Sequence, residues 1–423
     1  MSLQAVVGIN WGDEGKGRMI DYLAQKADYV VRFQGGNNAG HTVINEHGEF
    51  KLHLIPSGIF NPDTINVLGP GMVINVDALL QEIAEVEERG ISARNICISN
   101  RATVCFDFHR LEDGWEEERL GKAAYGSTKQ GIAPAYADRY AKKSIQIGEL
   151  LDKGSLKDRL KGIVEWKNRI AGGVYHKNEP IRLEEVFEKA SLLGEKIKPY
   201  VCDTSELLEQ AADEGKTVLF EAQLGALRDI YYGIYPFTTS SSTLAANAAL
   251  GGGLFNHQLD TTIGVMKAFS TCVGTGPFVT EMPEDEAGPM REVAKEFGAT
   301  TGRPRRIGHF DAVASRYGVR VQGATQVALT KLDVLSGLPT LKVCTGYKVN
   351  GKVTQSFPLN YELEKAEPVY EELSGWEEDI TACRRFENLP QNAQNYVLRL
   401  EELVKCPITF VSVGPERESL IER

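Results

Sequence analysis

Residues 5–23 have the sequence AVVGINWGDEGKGRMIDYL. The first five form a short apolar run typical of a buried β-strand, and residues 19–23 have the apolar spacing of a helix start. Between these two patterns lies the glycine-rich run 12–17, which contains Lys16. A glycine-rich turn from a strand into a helix points backbone N–H groups at an anion. We therefore predict a phosphate site in this turn.

The acidic pair Asp13-Glu14 is unusual for a site that holds only phosphate. A carboxylate at this place suggests a bound Mg²⁺ ion, a proton to be removed, or both. The run also departs from the strict P-loop pattern, because Asn10 replaces the first glycine and Gly17 follows the lysine. Taken alone, it is equally compatible with an ordinary strand-to-helix turn.

The composition excludes several classes of protein. The 423 residues are 25% charged and 42% hydrophobic, as in globular proteins with a large core, and the net charge of -11 argues against nucleic-acid binding. Seven cysteines without CxxC spacing argue against a disulfide framework and a structural zinc site. The chain shows neither a signal-peptide pattern nor 18 consecutive apolar residues, so we expect a cytoplasmic protein without membrane contact.

Short apolar runs alternate with amphipathic patterns along the chain. This alternation predicts an α/β fold in one large domain, residues 1–423, with a mostly parallel central sheet and a helical insertion at about 100–200. The predicted strands are residues 4–9, 29–33, 66–69, 217–220, 263–266, 326–329 and 408–413. The predicted helices include residues 76–88, 205–214, 290–297 and 396–404.

Polar, glycine-rich segments follow several of these strands, where ligands gather in parallel sheets. The segment 34–42, QGGNNAGHT, contains His41, which is either a general acid or a solvated loop histidine. The segment 300–306, TTGRPRR, concentrates three guanidinium groups that suit carboxylate or phosphate, although it also fits a solvated basic turn.

Two further segments suit a nucleotide. The segment 330–333, TKLD, places Asp333 after a strand, where its carboxylate could accept hydrogen bonds from N1–H and the 2-amino group of guanine, or form a salt bridge. The segment 235–243, YPFTTSSST, offers hydroxyl groups for a phosphate monoester, or is an ordinary loop. The chain contains no GxSxG motif, so a serine hydrolase has little support.

Taken together, these motifs resemble the adenylosuccinate synthetase family from residue 4 to about residue 420. The segments that carry the resemblance are WGDEGKG, RFQGGNNAGHTV, GPGMVI, GIYPFTTSSST, TGRPRR, LTKLDVL and VSVGP. The resemblance implies a ligase that joins IMP and L-aspartate with GTP and Mg²⁺, giving adenylosuccinate, GDP and phosphate through a 6-phosphoryl intermediate. It also implies a cytoplasmic homodimer that performs the first committed step of AMP synthesis from IMP.

The same resemblance implies roles for individual residues. Asp13 would be the base, His41 the acid and Lys16 the cation that neutralises phosphate, while Asp13 and the Gly40 carbonyl would hold the metal. The implied GTP-binding residues are Gly12, Asp13, Glu14, Gly15, Lys16, Gly17, Gly40, His41, Thr42, Arg305, Lys331, Leu332, Asp333, Ser412, Val413 and Gly414. The implied IMP-binding residues are Asp13, Asn38, Ala39, Gly40, His41, Thr128, Lys142, Gln223, Leu224, Thr239 and Arg303. The implied aspartate-binding residues are Ala299, Thr300, Thr301, Gly302, Arg303 and Arg305.

The chain departs from the family pattern at several positions. Gln130 stands where an arginine is usual, and Ala133 where a glycine is usual. Lys142 stands where the family has an arginine that reaches the neighbouring subunit's IMP site, so the charge is kept but the bidentate fork is lost. An ungapped alignment puts Leu224 at the IMP-binding glutamine, whereas a shift of one residue makes it Gln223, which we favour.

Three other functions remain open from the sequence. A related ligase could use a 2-amino or deoxy 6-oxopurine nucleotide. A guanine-nucleotide-binding regulatory module could have lost catalysis, although Asp13 and His41 are both present. An ATP-dependent amide ligase is disfavoured by Asp333.

Overall fold

A computed structural model of the chain describes residues 2–298 and 302–423. The strands are β1 (Ser2–Gly8), β2 (Tyr29–Arg32), β3 (His41–Asn45), β4 (Gly48–Leu52), β5 (Ile65–Leu68), β6 (Val73–Ile74), β7 (Ile96–Ser99), β8 (Thr103–Val104), β9 (Val201–Cys202), β10 (Thr217–Gly225), β11 (Thr261–Lys267), β12 (Ser270–Cys272), β13 (Arg306–Gly308), β14 (Phe310–Asp311), β15 (Gln326–Thr330), β16 (Leu338–Val349), β17 (Lys352–Thr354), β18 (Glu367–Trp376), β19 (Ile408–Ser412) and β20 (Leu420–Glu422). The helices are α1 (Lys16–Ala24), α2 (Val76–Glu88), α3 (Asp107–Leu120), α4 (Ile132–Tyr140), α5 (Lys153–Gly173), α6 (Leu183–Ile197), α7 (Thr204–Asp213), α8 (Ala248–Gly252), α9 (Glu284–Ala294), α10 (Ala312–Gln322), α11 (Asn360–Leu363) and α12 (Gln391–Val404).

A ten-stranded sheet forms the centre of the fold, in the order β20-β19-β15-β11-β1-β10-β2-β5-β7-β9. Its neighbouring strands run parallel, except for the antiparallel edge pair β19 and β20. Each of the seven predicted strands is a strand of this sheet. The predicted α/β fold with a mostly parallel sheet is therefore confirmed. The central strands are buried because helices cover both faces, which explains their continuous apolar sequences.

The parallel arrangement places the turn that is predicted to bind phosphate at one edge of the sheet. β1 lies between β10 and β11, and the turn follows the carboxyl end of β1. The carboxyl ends of β10, β11 and β15 lie along the same edge, as they do in other open parallel sheets that bind ligands. Residues far apart in the sequence therefore meet at this edge.

The segment Asp107–Ile197 is helical, with α3, α4, α5 and α6 following one another between β8 and β9. The division of the chain into one domain with an insertion stays a prediction. None of the described helices has the length and apolarity needed to cross a bilayer.

The structure also contains elements that the sequence patterns did not predict. The predicted loop 34–42 ends two residues earlier than expected, because His41 and Thr42 begin strand β3 of the β3–β4 hairpin. A second sheet is formed by β14, β16, β17 and β18. The predicted helix 290–297 begins at Glu284 and ends at Ala294, because Lys295 adopts a left-handed backbone conformation that stops it.

Candidate active site

The turn between β1 and α1 is folded around the buried carboxylate of Glu14. Its Oε1 atom accepts hydrogen bonds from the backbone N–H groups of Asn10, at 3.1 Å, and Gly12, at 2.7 Å. Its Oε2 atom lies 2.6 Å from Nζ of Lys16. Glu14 is only 2% exposed. Its carboxylate therefore shapes the turn and holds the lysine.

Helix α1 begins at Lys16, next to a left-handed Gly15 with φ of 97°. No side-chain hydrogen bond caps this helix within the described residues, so the N–H groups of its first turn can bind an anion. A Cβ atom added at Gly17 would lie 3.0 Å from Cβ of His41. The first turn of α1 therefore packs directly against the predicted general acid.

His41 is paired with a carboxylate from the middle of β10. Its Nε2 atom lies 2.9 Å from Oε1 of Glu221, which is 1% exposed. Glu221 also accepts hydrogen bonds from the backbone N–H and the hydroxyl of Ser57, at 2.8 and 2.9 Å. The imidazole is therefore held on one side by a carboxylate that is itself fixed by Ser57, the first residue of a short 3₁₀ helix (Ser57–Phe60).

Asp13 is held by Arg305. The Oδ2 atom of Asp13 lies 3.0 Å from Nε of Arg305. Nη1 of the same guanidinium lies 2.5 Å from Oε2 of Glu296. Asp13 has a backbone φ of 60°, a left-handed conformation that aspartate tolerates better than most residues. The predicted base and one of the predicted anion-binding arginines are therefore in direct contact in this structure.

Glu296 is a buried counter-charge for three cations. Its Oε1 atom lies 2.7 Å from Nζ of Lys267 and 3.6 Å from Nζ of Lys331. Burial alone raises the pKa of Glu296, but the positive charges of Lys267, Arg305 and Lys331 outweigh burial and lower the pKa to about 2. Glu296 is therefore ionised at neutral pH, and its carboxylate is surrounded by cations from β11, from the residue after β15 and from the arginine segment.

A cavity of about 610 Å³ lies beside this cluster. It is lined by residues of the phosphate turn, the loop before β3, the loop between α3 and α4, the end of β10 and the serine-rich segment. Eight of the predicted IMP-binding residues line it: Asp13, Asn38, Ala39, Gly40, Thr128, Leu224, Thr239 and Arg303. Ala133 also lines the cavity. The tertiary structure thus collects predicted residues from six separate segments around a single space.

A second group of predicted residues meets at the ends of β15 and β19. These strands are parallel neighbours, so Lys331 and Asp333 follow one strand where Ser412 ends the other and Gly414 follows it. The hydroxyl of Ser412 donates to the Gly414 carbonyl, at 3.1 Å, and accepts a hydrogen bond from Arg18. Burial raises the pKa of Asp333 above its ordinary value, while Lys331 and Arg18 partly offset that increase. The candidate guanine site is therefore assembled from α1 and two neighbouring strands.

Some predicted residues lie elsewhere. Lys142 follows α4 and is exposed at the surface, outside the cavity.

Gln223 is also absent from the cavity wall, because its side chain points to the opposite side of the chain from that of Leu224 and forms hydrogen bonds with the loop at Gly36 and Ala39. Its position therefore does not support our preference for Gln223 as the IMP contact. Gln130 contacts Asn37. The Oε1 atom of Gln130 accepts a hydrogen bond from Nδ2 of Asn37 at 2.9 Å.

Three of the predicted aspartate-binding residues, Ala299, Thr300 and Thr301, lie outside the described residues. Two structurally important carboxylates, Glu221 and Glu296, were missed from the sequence. Glu221 could have been noticed as a charged residue that follows the apolar run 217–220, since a buried charge needs a partner. Nothing in the local sequence distinguishes Glu296 from other acidic residues near helix ends.

The adenylosuccinate synthetase family model matches residues 5–421. The chain belongs to the adenylosuccinate synthetase family. Among its relatives, adenylosuccinate synthetase 2 of Pseudoalteromonas translucida is 51% identical and covers 99% of each chain. Adenylosuccinate synthetase of an Exiguobacterium species is 48% identical, covering 100% of this chain and 98% of the relative. The structure of fully ligated adenylosuccinate synthetase from Plasmodium falciparum matches with a TM-score of 0.94 at 35% identity, covering 100% of both chains.

Membership confirms the family inferred from the motifs. Adenylosuccinate synthetases are GTP-dependent ligases of the EC 6.3.4.4 class, which join IMP and aspartate in AMP biosynthesis. The family is also generally dependent on Mg²⁺. The oxygen donors here fit such an ion, because Mg²⁺ is commonly held by one or two carboxylates together with substrate phosphates. The Asp13 carboxylate and the Gly40 carbonyl both belong to residues that line the cavity.

Proposed function

We propose that this chain ligates IMP and L-aspartate to adenylosuccinate, converting GTP to GDP and phosphate through a 6-phosphoryl-IMP intermediate. The observation that carries the proposal is the position of Asp13. It belongs to the turn that leads into the uncapped N-terminus of α1, and it also lines the 610 Å³ cavity. The Asp13 carboxylate can therefore contact both a purine in the cavity and a triphosphate at the N-terminus of the helix. This reaction is the first committed step from IMP to AMP.

In the first step, we infer that Asp13 removes the proton from N1 of the hypoxanthine ring. The charge moves to O6, which attacks the γ-phosphorus of GTP. A bond between O6 and phosphorus forms, the bond between that phosphorus and its bridging oxygen breaks, and GDP leaves. Arg305 supports this role because its contact with Oδ2 holds the Asp13 side chain in place.

In the second step, the amine of L-aspartate attacks C6 of the phosphorylated ring. The new C–N bond forms, the C6–O6 bond breaks, phosphate leaves, and the nitrogen loses its proton. The arginine segment is the proposed site of the aspartate carboxylates, with Gly302, Arg303 and Arg305 as its described members. Arg303 lines the cavity, and its Nη2 atom donates to the Gly126 carbonyl at 3.1 Å. A guanidinium in that position can bind a carboxylate through its planar fork.

Charge stabilisation is the main requirement of phosphoryl transfer. Lys16 and the first-turn N–H groups of α1 would face the β- and γ-phosphates, and His41 would donate a proton or hydrogen bond to the oxygen that develops charge. Asp13 and the Gly40 carbonyl would hold Mg²⁺. When bound, this ion neutralises phosphate charge.

GTP selectivity is assigned to Asp333. Its carboxylate would accept hydrogen bonds from N1–H and the 2-amino group of guanine, a pair of donors that adenine lacks. The aliphatic stem of Lys331 would cover the base. The neighbouring positions Ser412 and Gly414 support a shared pocket, because they lie at the end of β19 and just after it, and β19 pairs with β15.

We also propose that the chain acts as a homodimer. Lys142 is exposed, has a left-handed backbone with φ of 61°, and follows Tyr140, whose side chain is also exposed. A second subunit could cover this surface and receive Lys142 at its IMP phosphate.

The test is a coupled assay with IMP, L-aspartate, GTP and Mg²⁺, in which each component is omitted in turn while the absorbance of the succinylated purine is followed. Product should form only in the complete mixture. Replacement of GTP by ATP tests the base assignment, and replacement of IMP by dIMP or dGMP tests the related nucleotide substrates. GTP binding without product in any mixture would instead support a guanine-nucleotide-binding module.

A further inference from the structure

Two consecutive residues at the end of β10 point to opposite sides of the chain. Leu224 lines the cavity, whereas Gln223 points into the protein and is 2% exposed. This divergence occurs at an irregular stretch of β10, where Leu224 has a left-handed backbone with φ of 62° and the register with β1 shifts between Val6 and Gly8. It places an apolar side chain against the substrate space and an amide against the loop that precedes β3.

The buried amide of Gln223 makes three hydrogen bonds with that loop. Its Nε2 atom donates to the carbonyl oxygens of Gly36, at 2.9 Å, and Ala39, at 3.1 Å. Its Oε1 atom accepts from the N–H of Gly36 at 3.2 Å. A single side chain thus forms hydrogen bonds with backbone groups on both sides of the pair Asn37 and Asn38.

The surrounding residues are adapted to this contact. A Cβ atom added at Gly35 would lie 1.8 Å from Oε1 of Gln223, so any side chain there would displace the amide. The backbone carbonyl of Gln223 accepts a hydrogen bond from Nε2 of Gln34 at 2.7 Å. The hydroxyl of Ser241 donates to Oε1 of Gln34 at 2.8 Å. The loop is therefore joined through two glutamines to β10 and to the serine-rich segment.

We propose that Gln223 is a positioning residue for the loop that presents Asn38, Gly40 and His41. It touches neither the cavity nor the predicted reacting atoms, so it would act through the backbone at Gly36 and Ala39. Glu221, two residues earlier, holds the His41 imidazole from the same face of β10. Together the two side chains fix both ends of the segment 36–41. This inference rests on the proposed function, since it assigns the loop to the ligase reaction.

The decisive variant is Gln223→Met, which keeps the length and volume of the side chain but removes all three hydrogen bonds. We expect kcat to fall by about 10- to 100-fold, because small displacements of catalytic groups have effects of that size. KM for L-aspartate should change by less than about threefold, because its proposed carboxylate site lies on a different segment. Gln223→Glu should be at least as impaired, since a carboxylate would face two carbonyl oxygens.

The chain offers a matched control in Gln322, which is also buried. Its Nε2 atom donates to the carbonyls of Gly8, at 2.9 Å, and Thr243, at 3.3 Å, and its Oε1 atom accepts from the N–H of Ala245 at 2.8 Å. Gln322→Met therefore removes an equal number of hydrogen bonds away from the loop. Its Tm should fall about as far as that of Gln223→Met, while its kcat should fall several-fold less.

Hydrogen exchange separates the two proposals. In Gln223→Met the amide of Gly36 should lose protection, whereas in Gln322→Met the loss should be confined to the region of Ala245. Unchanged protection of residues 36–40 in Gln223→Met, or an equal loss of kcat in both variants, would overturn the positioning role. A wild-type protein that forms no adenylosuccinate would overturn the proposed function, while hydrogen exchange would still report on Gln223.

Discussion

Nε2 of His41 lies 2.9 Å from Oε1 of Glu221, and this contact joins the first residue of β3 to the middle of β10. Burial alone raises the pKa of Glu221, but His41, Arg32 and the hydrogen bonds from Ser57 outweigh burial and lower the pKa below its ordinary value. Glu221 is therefore ionised at neutral pH. The predicted acid is oriented by a buried charge that is distant from it in sequence.

Replacement of Glu221 by glutamine should reduce kcat by about 10-fold or more, because the amide keeps the shape but lowers the attraction that orients His41. Steady-state kinetics and thermal unfolding of Glu221→Gln should be compared with those of Ser57→Ala. The second variant removes one hydrogen bond to Glu221 without changing its charge. An equal effect of both variants on kcat would contradict an orienting role for the charge.

Replacement of Asp13 by asparagine should reduce kcat by at least about 100-fold, since a general base contributes that much or more. Asparagine also tolerates the left-handed backbone at this position. Circular dichroism and thermal unfolding should show an intact fold. Substantial product formation by Asp13→Asn in the coupled assay would remove Asp13 from the role of base.

Replacement of Asp333 by asparagine should reduce the preference for GTP over ITP, which lacks the 2-amino group. We expect kcat/KM for GTP to fall by about 10- to 100-fold, because a charged acceptor would be lost from a buried hydrogen-bonded pair. KM for IMP should change little. The exposed Glu418 provides a control, since Glu418→Gln alters charge in the nearby C-terminal turn. Unchanged nucleotide selectivity in Asp333→Asn would exclude the base-reading role.

Asp311 should make stability depend on pH. It is fully buried, accepts hydrogen bonds from Ala314 N–H and the Tyr347 hydroxyl, and burial raises its pKa to about 6. The folded state therefore binds this proton more tightly than the unfolded state. The resulting stabilisation is complete below pH ~4 and is lost as the pH rises through ~6, by about 3 kcal/mol at most.

Asp311→Asn should remove this dependence, because the amide does not titrate. The free energy of unfolding of the wild type should therefore fall relative to that of Asp311→Asn between pH ~4 and ~6. Urea unfolding across this range measures the difference. A constant difference between the two proteins at all pH values would show that Asp311 does not titrate in this interval.

Lys142→Ala and Asp13→Asn should complement each other if Lys142 serves the neighbouring subunit. In a mixed dimer, one site would combine an intact Asp13 with Lys142 of the partner subunit. Random reassociation of equal amounts should then restore about a quarter of wild-type activity, because half of the dimers are mixed and each has one complete site. If the mixture shows only the sum of the residual activities of the two variants, although exchange of subunits has been verified, the site is not shared.

The sequence predicted the central sheet well because its strands are buried on both faces. A short, mainly apolar run such as 217–220 predicts a buried strand when turns and amphipathic patterns flank it. The second sheet was harder to identify although β16 and β18 are long strands, because both are partly exposed and their burial depends on pairing within that sheet rather than on a continuous apolar run. β3 was missed for the same reason, because His41 and Thr42 are polar residues that become a strand through pairing with β4.

The sequence by itself determined the parallel α/β class, the glycine-rich turn that leads into a helix at Lys16, and the family, because these depend on local patterns and ordered motifs. Only the tertiary structure decided that Glu221 pairs with His41, that Glu296 gathers three cations, and that Leu224 rather than Gln223 lines the cavity. These relationships depend on which strands are neighbours and on which way each side chain points. A buried charge or amide takes its role from the groups that surround it, and those groups come from segments hundreds of residues apart.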